Sequence, residues 1–160
     1  MVVPVVLGLG SNKGDSRRIL EGAVEALQSD VLKNLRRSDF IETEPMGPQD
    51  QRRFLNAAVT GDFSGGGPYE LLDLIHRIET AFGRDRSKER RWGERTLDID
   101  ILLYGDLLVC DPPALEIPHP RLRERPFALI PLLELLPDAV DPSTGEHYTA
   151  VLEGLSSPMV

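Results

Sequence analysis

Arg95-Thr96-Leu97-Asp98-Ile99-Asp100-Ile101-Leu102-Leu103-Tyr104 alternates apolar and acidic side chains before ending in an apolar run. A period of two marks a strand, whose successive side chains point to opposite faces. Leu97, Ile99, Ile101 and Leu103 are then expected on one face, with Asp98 and Asp100 on the other, about 6 to 7 Å apart along the backbone. An ionised carboxylate in apolar company is costly without a counter-charge, so the pair predicts Mg²⁺, arginine or both as its partner. Immediately upstream, Gly83 to Arg95 reads GRDRSKERRWGER: six positive residues (Arg84, Arg86, Lys88, Arg90, Arg91, Arg95) against three acids (Asp85, Glu89, Glu94). That local excess of three stands in a chain of net charge −8, so an acidic protein gathers positive charge beside two metal-ligand candidates. A polyphosphate carried with Mg²⁺ fits that polarity. Trp92, the one tryptophan of the chain, lies in the middle of the charged segment and is suited to stacking on a flat ring.

Working backwards from this strand, Pro68 opens a helix with the apolar stripe Leu71, Leu72, Ile75, Ile78 and Phe82, stopped by Gly83. Phe54 to Phe63 alternates as a strand, with Leu55, Ala57 and Val59 opposite Asn56, Ala58 and Thr60, and Leu35 to Thr43 reads as another. Val3 to Leu9 is the first strand. Asp15 or Ser16 then caps a helix carrying Leu20, Ala23, Val24 and Leu27. The resulting order is strand, helix, strand, strand, helix, strand. It predicts an α+β, ferredoxin-like βαββαβ core: an antiparallel sheet covered on one face by helices. Beyond the acidic strand, Gly105-Asp106 is expected to turn it into a hairpin with Leu107 to Cys110. Arg125 to Leu136 is expected as two short helical pieces parted by Pro131, and a last helical turn near Val151 to Leu155.

A chain of 160 residues with 41% hydrophobic content suits one domain, residues 1–160. No apolar run approaches the ~20 residues that span a bilayer, and no signal pattern opens the chain, which predicts a cytoplasmic protein without a membrane partner. The net acidity speaks against a broad nucleic-acid grip. Cys110 is the lone cysteine; its apolar neighbours predict a packed thiol, not a nucleophile. Gly8-Leu9-Gly10-Ser11-Asn12-Lys13-Gly14 follows a strand, yet its spacing matches neither the dinucleotide fingerprint nor a Walker loop. Phosphate binding therefore falls to arginines and metal. From the residues alone, the expected chemistry is metal-assisted phosphoryl transfer, the plainer alternative being a solvated Asp-x-Asp edge beside a solvated charged loop.

Five blocks carry a family resemblance across nearly the whole chain: GLGSNKGD, TEPMGPQDQRRFLNAAV, RIETAFGRDR, RWGERTLDIDILLYG and PHPRLRERPFALIPLLEL. In them the chain resembles the 6-hydroxymethyl-7,8-dihydropterin pyrophosphokinases of folate biosynthesis. The resemblance implies transfer of pyrophosphate from ATP to the hydroxymethyl group of the pterin, giving the pterin diphosphate and AMP. It implies that Asp98 and Asp100 are metal ligands holding two Mg²⁺ ions, acting with Arg86 and Arg95 as the catalytic set. ATP is expected to meet His76, Glu79, Arg84, Arg86, Arg91, Trp92, Arg95, Ile101, His119 and Arg125. The pterin is expected to meet Thr43, Met46, Phe54, Asn56, Trp92 and Phe127, its flat bicycle held between aromatic faces and its guanine-like edge read by the Asn56 amide. Family members are commonly monomeric, and a monomer is expected here.

Glu94 departs from the family pattern, in which proline is common between this glycine and arginine, and Pro120 stands where some members have tyrosine. The segment Ser87 to Arg91 is one residue longer than in some relatives, leaving open whether Arg90 or Arg91 meets phosphate. The rival readings are another Mg²⁺-dependent phosphoryl or nucleotidyl transferase, which would release ADP or pyrophosphate, and a non-catalytic nucleotide- or pterin-binding relative.

Overall fold

The computed structural model describes residues 2–12, 15–43, 54–83 and 96–156. Strands β1 (Val3–Ser11), β2 (Leu32–Arg37), β3 (Ile41–Thr43), β4 (Phe54–Phe63) and β5 (Asp98–Tyr104) form one sheet, with helices α1 (Ser16–Asp30) and α2 (Pro68–Ala81) interleaved in the predicted order. The strands lie in the order β2-β4-β1-β5, every neighbouring pair antiparallel, and β3 pairs with the start of β4. This is the ferredoxin-like arrangement: each helix carries the chain past one intervening strand, so β1 and β4 end up central and β5 flanks β1.

Local chemistry sets the helix limits. The Asp15 side chain accepts the amide of Arg18 and starts α1. Pro68 occupies the first turn of α2, where its missing N–H is no loss, and the Glu70 carboxylate reaches back to the amide of Gly67 at 2.6 Å. Gly83, at φ +90°, ends α2 in a conformation other residues rarely adopt. Both helices bury their predicted stripes. Leu20, Ala23 and Leu27 of α1 and Leu71, Ile75 and Ile78 of α2 pack on Val5, Leu7 and Leu9 of β1 and on Ile99 and Ile101 of β5.

The opposite face is covered too, which the sequence reading did not foresee. Helices α3 (Pro126–Leu135) and α4 (Tyr148–Ser156) pack there on Val6, Ala58 and Leu102 through Ala128, Leu129, Leu132 and Tyr148. Helix α3 is continuous through Pro131, correcting the expected break. It gives up one backbone hydrogen bond, but four of its other side chains are buried, and tertiary packing outweighs propensity in a short helix. A single 3-10 turn, Leu122–Glu124, precedes it.

Four further expectations are corrected. The segment read as one strand from Leu35 to Thr43 is two strands separated at Ser38, whose backbone amide donates to the Ala58 carbonyl at 2.9 Å while its hydroxyl accepts the Ala58 amide at 2.8 Å. A side chain there replaces a ladder acceptor, so the strand is broken without leaving the Ala58 amide unpaired. The turn at Gly105 does not make a hairpin with Leu107 to Cys110. Instead β6 (Val109–Asp111) pairs with β7 (Leu115–Ile117) as a separate ribbon, and Cys110 is exposed on it, not packed. Finally, β5 carries a bulge: Leu7 lies opposite Ile101 but Val6 opposite Leu103. The extra residue resets the alternation, so Leu102 and Leu103 both join the α3 side and Tyr104 returns to the α1–α2 side. Leu103 therefore does not share the face of Ile99 and Ile101.

Candidate active site

Asp98 and Asp100 point to the α3 side of the sheet, since Ile99 and Ile101 between and beyond them are buried against α1 and α2. Both acids are partly exposed. Directly opposite across the ladder stand Gly10 and Gly8, and beyond those, on β4, Asn56 and Ala58. Two rows thus cross the sheet: Asn56–Gly10–Asp98 and Ala58–Gly8–Asp100. Gly10 clears the floor between Asp98 and the amide, whereas over Gly8 the Leu102 side chain already lies 3.3 Å from where a Cβ would stand. A Cβ built on Gly10 would stand 3.0 Å from Asn56 Oδ1 and 3.8 Å from the Phe54 ring.

The wall on the β3 side is made by pairing. Thr43 lies opposite Phe54 and Ile41 opposite Asn56, and the Asn56 amide nitrogen donates to Thr43 Oγ1 at 2.8 Å. That bond fixes the amide's orientation and turns Oδ1 toward Gly10. Thr43, Phe54 and Asn56 are therefore brought together at one end of the acid face.

The other wall comes from the chain after β7. His119, whose amide bonds the Leu102 carbonyl, places Nε2 3.8 Å from Asp100 Oδ2, and Arg125 at the head of α3 places a guanidinium nitrogen 3.8 Å from the same oxygen. The Arg125 guanidinium also sits 5.5 Å from the centre of the Phe127 ring, a cation–π distance. Arg125 Nε is buried with no acceptor among the described residues. His119 Nδ1 accepts the amide of Arg121 at 3.2 Å, so the proton of the neutral ring resides on Nε2, the nitrogen facing Asp100. Burial, reinforced by Arg125, lowers the His119 pKa to about 4, although the Asp98 carboxylate pulls the other way. His119 is thus a neutral Nε2–H donor at ordinary pH.

Among the described residues no three His, Cys, Asp or Glu side chains converge as a closed cation cage. Asp98 and Asp100 are a pair on one strand face, both partly exposed, with Gly10 opposite Asp98. Two carboxylates with open coordination positions suit Mg²⁺, which keeps waters and takes phosphate oxygens as further ligands. The donor set fits that ion.

The remaining expected residues fall elsewhere. Ile101 and Glu79 are buried behind the sheet, on the α2 side; Glu79 is 1% exposed and accepts the Ile99 amide at 2.8 Å. His76 is exposed on α2. Met46, Arg84, Arg86, Arg91, Trp92 and Arg95 lie outside the described residues. The sequence reading missed Gly10 as a site residue: it weighed the glycines of β1 as a phosphate cradle, whereas Gly10 leaves space beside the Asn56 amide that a side chain would take. Glycine inside a strand already signals close approach.

A family model described as 7,8-dihydro-6-hydroxymethylpterin-pyrophosphokinase (HPPK) matches residues 6–137. The 2-amino-4-hydroxy-6-hydroxymethyldihydropteridine pyrophosphokinase of Methylorubrum extorquens is 47% identical over 135 residues, covering 84% of this chain and 83% of the relative. The protein of the same name from Pseudomonas aeruginosa is 38% identical over 153 residues, covering 95% and 91%. Among solved structures, wild-type Plasmodium falciparum HPPK-DHPS with STZ-DHP superposes with a TM-score of 0.77 at 15% identity, over 96% of this chain. This chain spans 43% of that longer one, and at such identity the likeness is one of fold. No described helix is long and apolar enough to cross a membrane.

Proposed function

We propose, on the premise that this chain belongs to the 7,8-dihydro-6-hydroxymethylpterin-pyrophosphokinase family, that its acid face transfers pyrophosphate from ATP to 6-hydroxymethyl-7,8-dihydropterin. The products are the pterin diphosphate and AMP, a step of folate biosynthesis. One observation carries the reading. The row Asn56–Gly10–Asp98 sets an oriented amide, a cleared floor and a carboxylate side by side, which suits a flat heterocycle whose reacting arm extends toward the acids.

In this reading Asn56 and Thr43 bind the polar edge of the pterin and Phe54 and Phe127 its faces. The hydroxymethyl oxygen then forms a bond to the β-phosphorus of ATP as the bond from that phosphorus to the oxygen bridging to the α-phosphate breaks. AMP leaves with that oxygen, and the hydroxyl proton goes to solvent. Asp98 and Asp100 hold Mg²⁺, two ions in our reading, which when bound supplies neutralising charge for the phosphates. Arg125 offers the terminal guanidinium nitrogen beside Asp100, and His119 its Nε2–H, to phosphate oxygens. Being neutral, His119 donates a hydrogen bond without adding to the positive charge already supplied by arginine. Positioning and charge account for the catalysis, and no protein general base is required. Arg86 and Arg95 join the catalytic set, with Arg84, Arg91, Trp92 and His76 around the nucleotide and Met46 beside the pterin, whereas Glu79 and Ile101, buried on the α2 side of β5, stand behind the site and not in it. We take residues 1–160 as one domain acting as a monomer, without nucleic acid.

The test is AMP formation that requires both ATP and the hydroxymethyl pterin in the presence of Mg²⁺. ADP or pyrophosphate as the nucleotide-derived product, or no turnover at all, would reject the reading.

A further inference from the structure

Glu79 stands behind the catalytic strand in a place its expected part in nucleotide binding does not explain. Among the described residues strand β5 has a ladder partner on one side only, β1, where Asp98 lies opposite Gly10, Ile99 opposite Leu9 and Asp100 opposite Gly8. The amide of Ile99 is turned away from that ladder and is taken up by Glu79 Oε2 at 2.8 Å, in a buried setting. Glu79 is 1% exposed, on the last turns of α2 and among the apolar residues joining α2 to the sheet. A buried carboxyl is costly to place, and this one is aimed at the single residue that separates the two acids.

We infer that Glu79 is a positioning residue for Asp98 and Asp100: it clamps the outer edge of β5 and so fixes the direction in which the two carboxylates leave the strand. Along β5 the anchors alternate, β1 on one side and Glu79 on the other, so the segment 98–100 is held from both edges as an interior strand would be. Without the acceptor, the Ile99 amide is left buried and unsatisfied, and the strand gains by twisting to reach water. That twist moves both carboxylates together. Groups that orient metal ligands from behind tune metal sites in this way.

The inference rests on the pyrophosphokinase reading for its activity readout, and it separates from it through two readouts that need no turnover. Glu79→Gln keeps an acceptor oxygen of the same reach; Glu79→Met keeps the volume and removes it. In Glu79→Gln the Ile99 amide should remain protected from hydrogen exchange, and Mn²⁺ binding in the presence of an ATP analogue, followed by electron paramagnetic resonance, should stay within about threefold of the unaltered protein. In Glu79→Met the Ile99 amide should exchange at least about tenfold faster while the α1 amides are unchanged, with Mn²⁺ affinity and kcat falling about 10- to 100-fold and the pterin KM little altered. Equal damage in both variants overturns the inference, because charge and not the acceptor would then be what matters. Unchanged Mn²⁺ binding in a folded Glu79→Met also overturns it. Should Glu79→Met fail to fold, Glu79→Gln decides alone: retained Ile99 protection with near-normal Mn²⁺ affinity supports the clamp, and a tenfold loss of affinity behind a protected amide refutes it. A protein that binds Mn²⁺ as described yet forms no AMP would instead refute the assigned reaction and leave the clamp standing.

Discussion

Replacing Gly10 with alanine should separate substrate binding from stability. The residue sits in extended backbone within β1, so alanine is conformationally acceptable, and restricting the unfolded chain favours the fold by about 0.5 to 1 kcal/mol. The new methyl, however, would lie 3.0 Å from Asn56 Oδ1, closer than carbon and oxygen ordinarily approach. The Leu55 carbonyl and the Phe54 ring are both 3.8 Å away and are not strained, so the amide alone must yield. Turning it stretches the 2.8 Å bond to Thr43, a loss of about 1 kcal/mol. The two effects nearly cancel, and the melting temperature should move by no more than about 2 to 4 °C. Pterin binding has no such compensation. An amide turned off its mark loses a hydrogen bond to the ligand, about 1 kcal/mol, which weakens binding about fivefold, and the methyl also takes up floor space. Calorimetric titration with the hydroxymethyl pterin and a nonhydrolysable ATP analogue measures the first quantity, and a thermal melt the second. An unchanged Kd in a folded Gly10→Ala protein would refute the placement of the pterin over this row. A loss of 3 kcal/mol in stability would show that backbone, and not the amide, absorbs the methyl.

Asp98→Asn and Asp100→Asn should each retain a folded thermal transition while kcat falls by about two or more orders of magnitude, because an amide is a poor Mg²⁺ ligand; near-normal turnover in either removes that residue from the metal site. His119 gives a pH signature in the metal-free protein. The folded state resists a proton that the unfolded chain takes up with a pKa near 6.5, so the contribution is complete above that pH and is lost as pH falls through about 4. At about 1.4 kcal/mol per unit, the loss is about 3 kcal/mol, seen as a steeper acid destabilisation in urea melts than for His119→Asn; an NMR titration midpoint near 6.5 would contradict it. Gly154 lies in α4 with no described atom within 4 Å of an added Cβ, so Gly154→Ala should raise stability by about 0.5 to 1 kcal/mol in denaturant titrations without altering kcat.

The parts of the fold that were legible in the sequence are those where one period runs undisturbed. Helices α1 and α2 announce themselves by apolar stripes between a cap and a stop. The alternation from Leu97 to Ile101 by itself places Asp98 and Asp100 on one face. The bulge escaped notice because Leu102 and Leu103 are chemically alike, so a phase reset between them leaves no trace in the pattern. Covering of the acid face by α3 escaped for a related reason: a helix apolar on all sides carries no moment to say which surface it meets. Ser38 breaks a strand by supplying its own hydroxyl as an acceptor, an option any serine has and few use. At the site, chemistry was readable and orientation was not. Asn56 was a candidate amide from its type, whereas the Thr43 bond that aims it depends on pairing across 13 residues.

The bulge at Leu102 also bears on how this strand tolerates change in length. On either side of it, pairing with β1 is regular, Asp100 with Gly8 on one flank and Tyr104 with Val5 on the other. Removing one residue there would close the ladder without moving either flank, whereas an insertion or deletion two positions earlier would carry an acid to the wrong side of the sheet. The distal end of β5 can therefore drift in length over evolution, uncoupled from the half that carries the carboxylates.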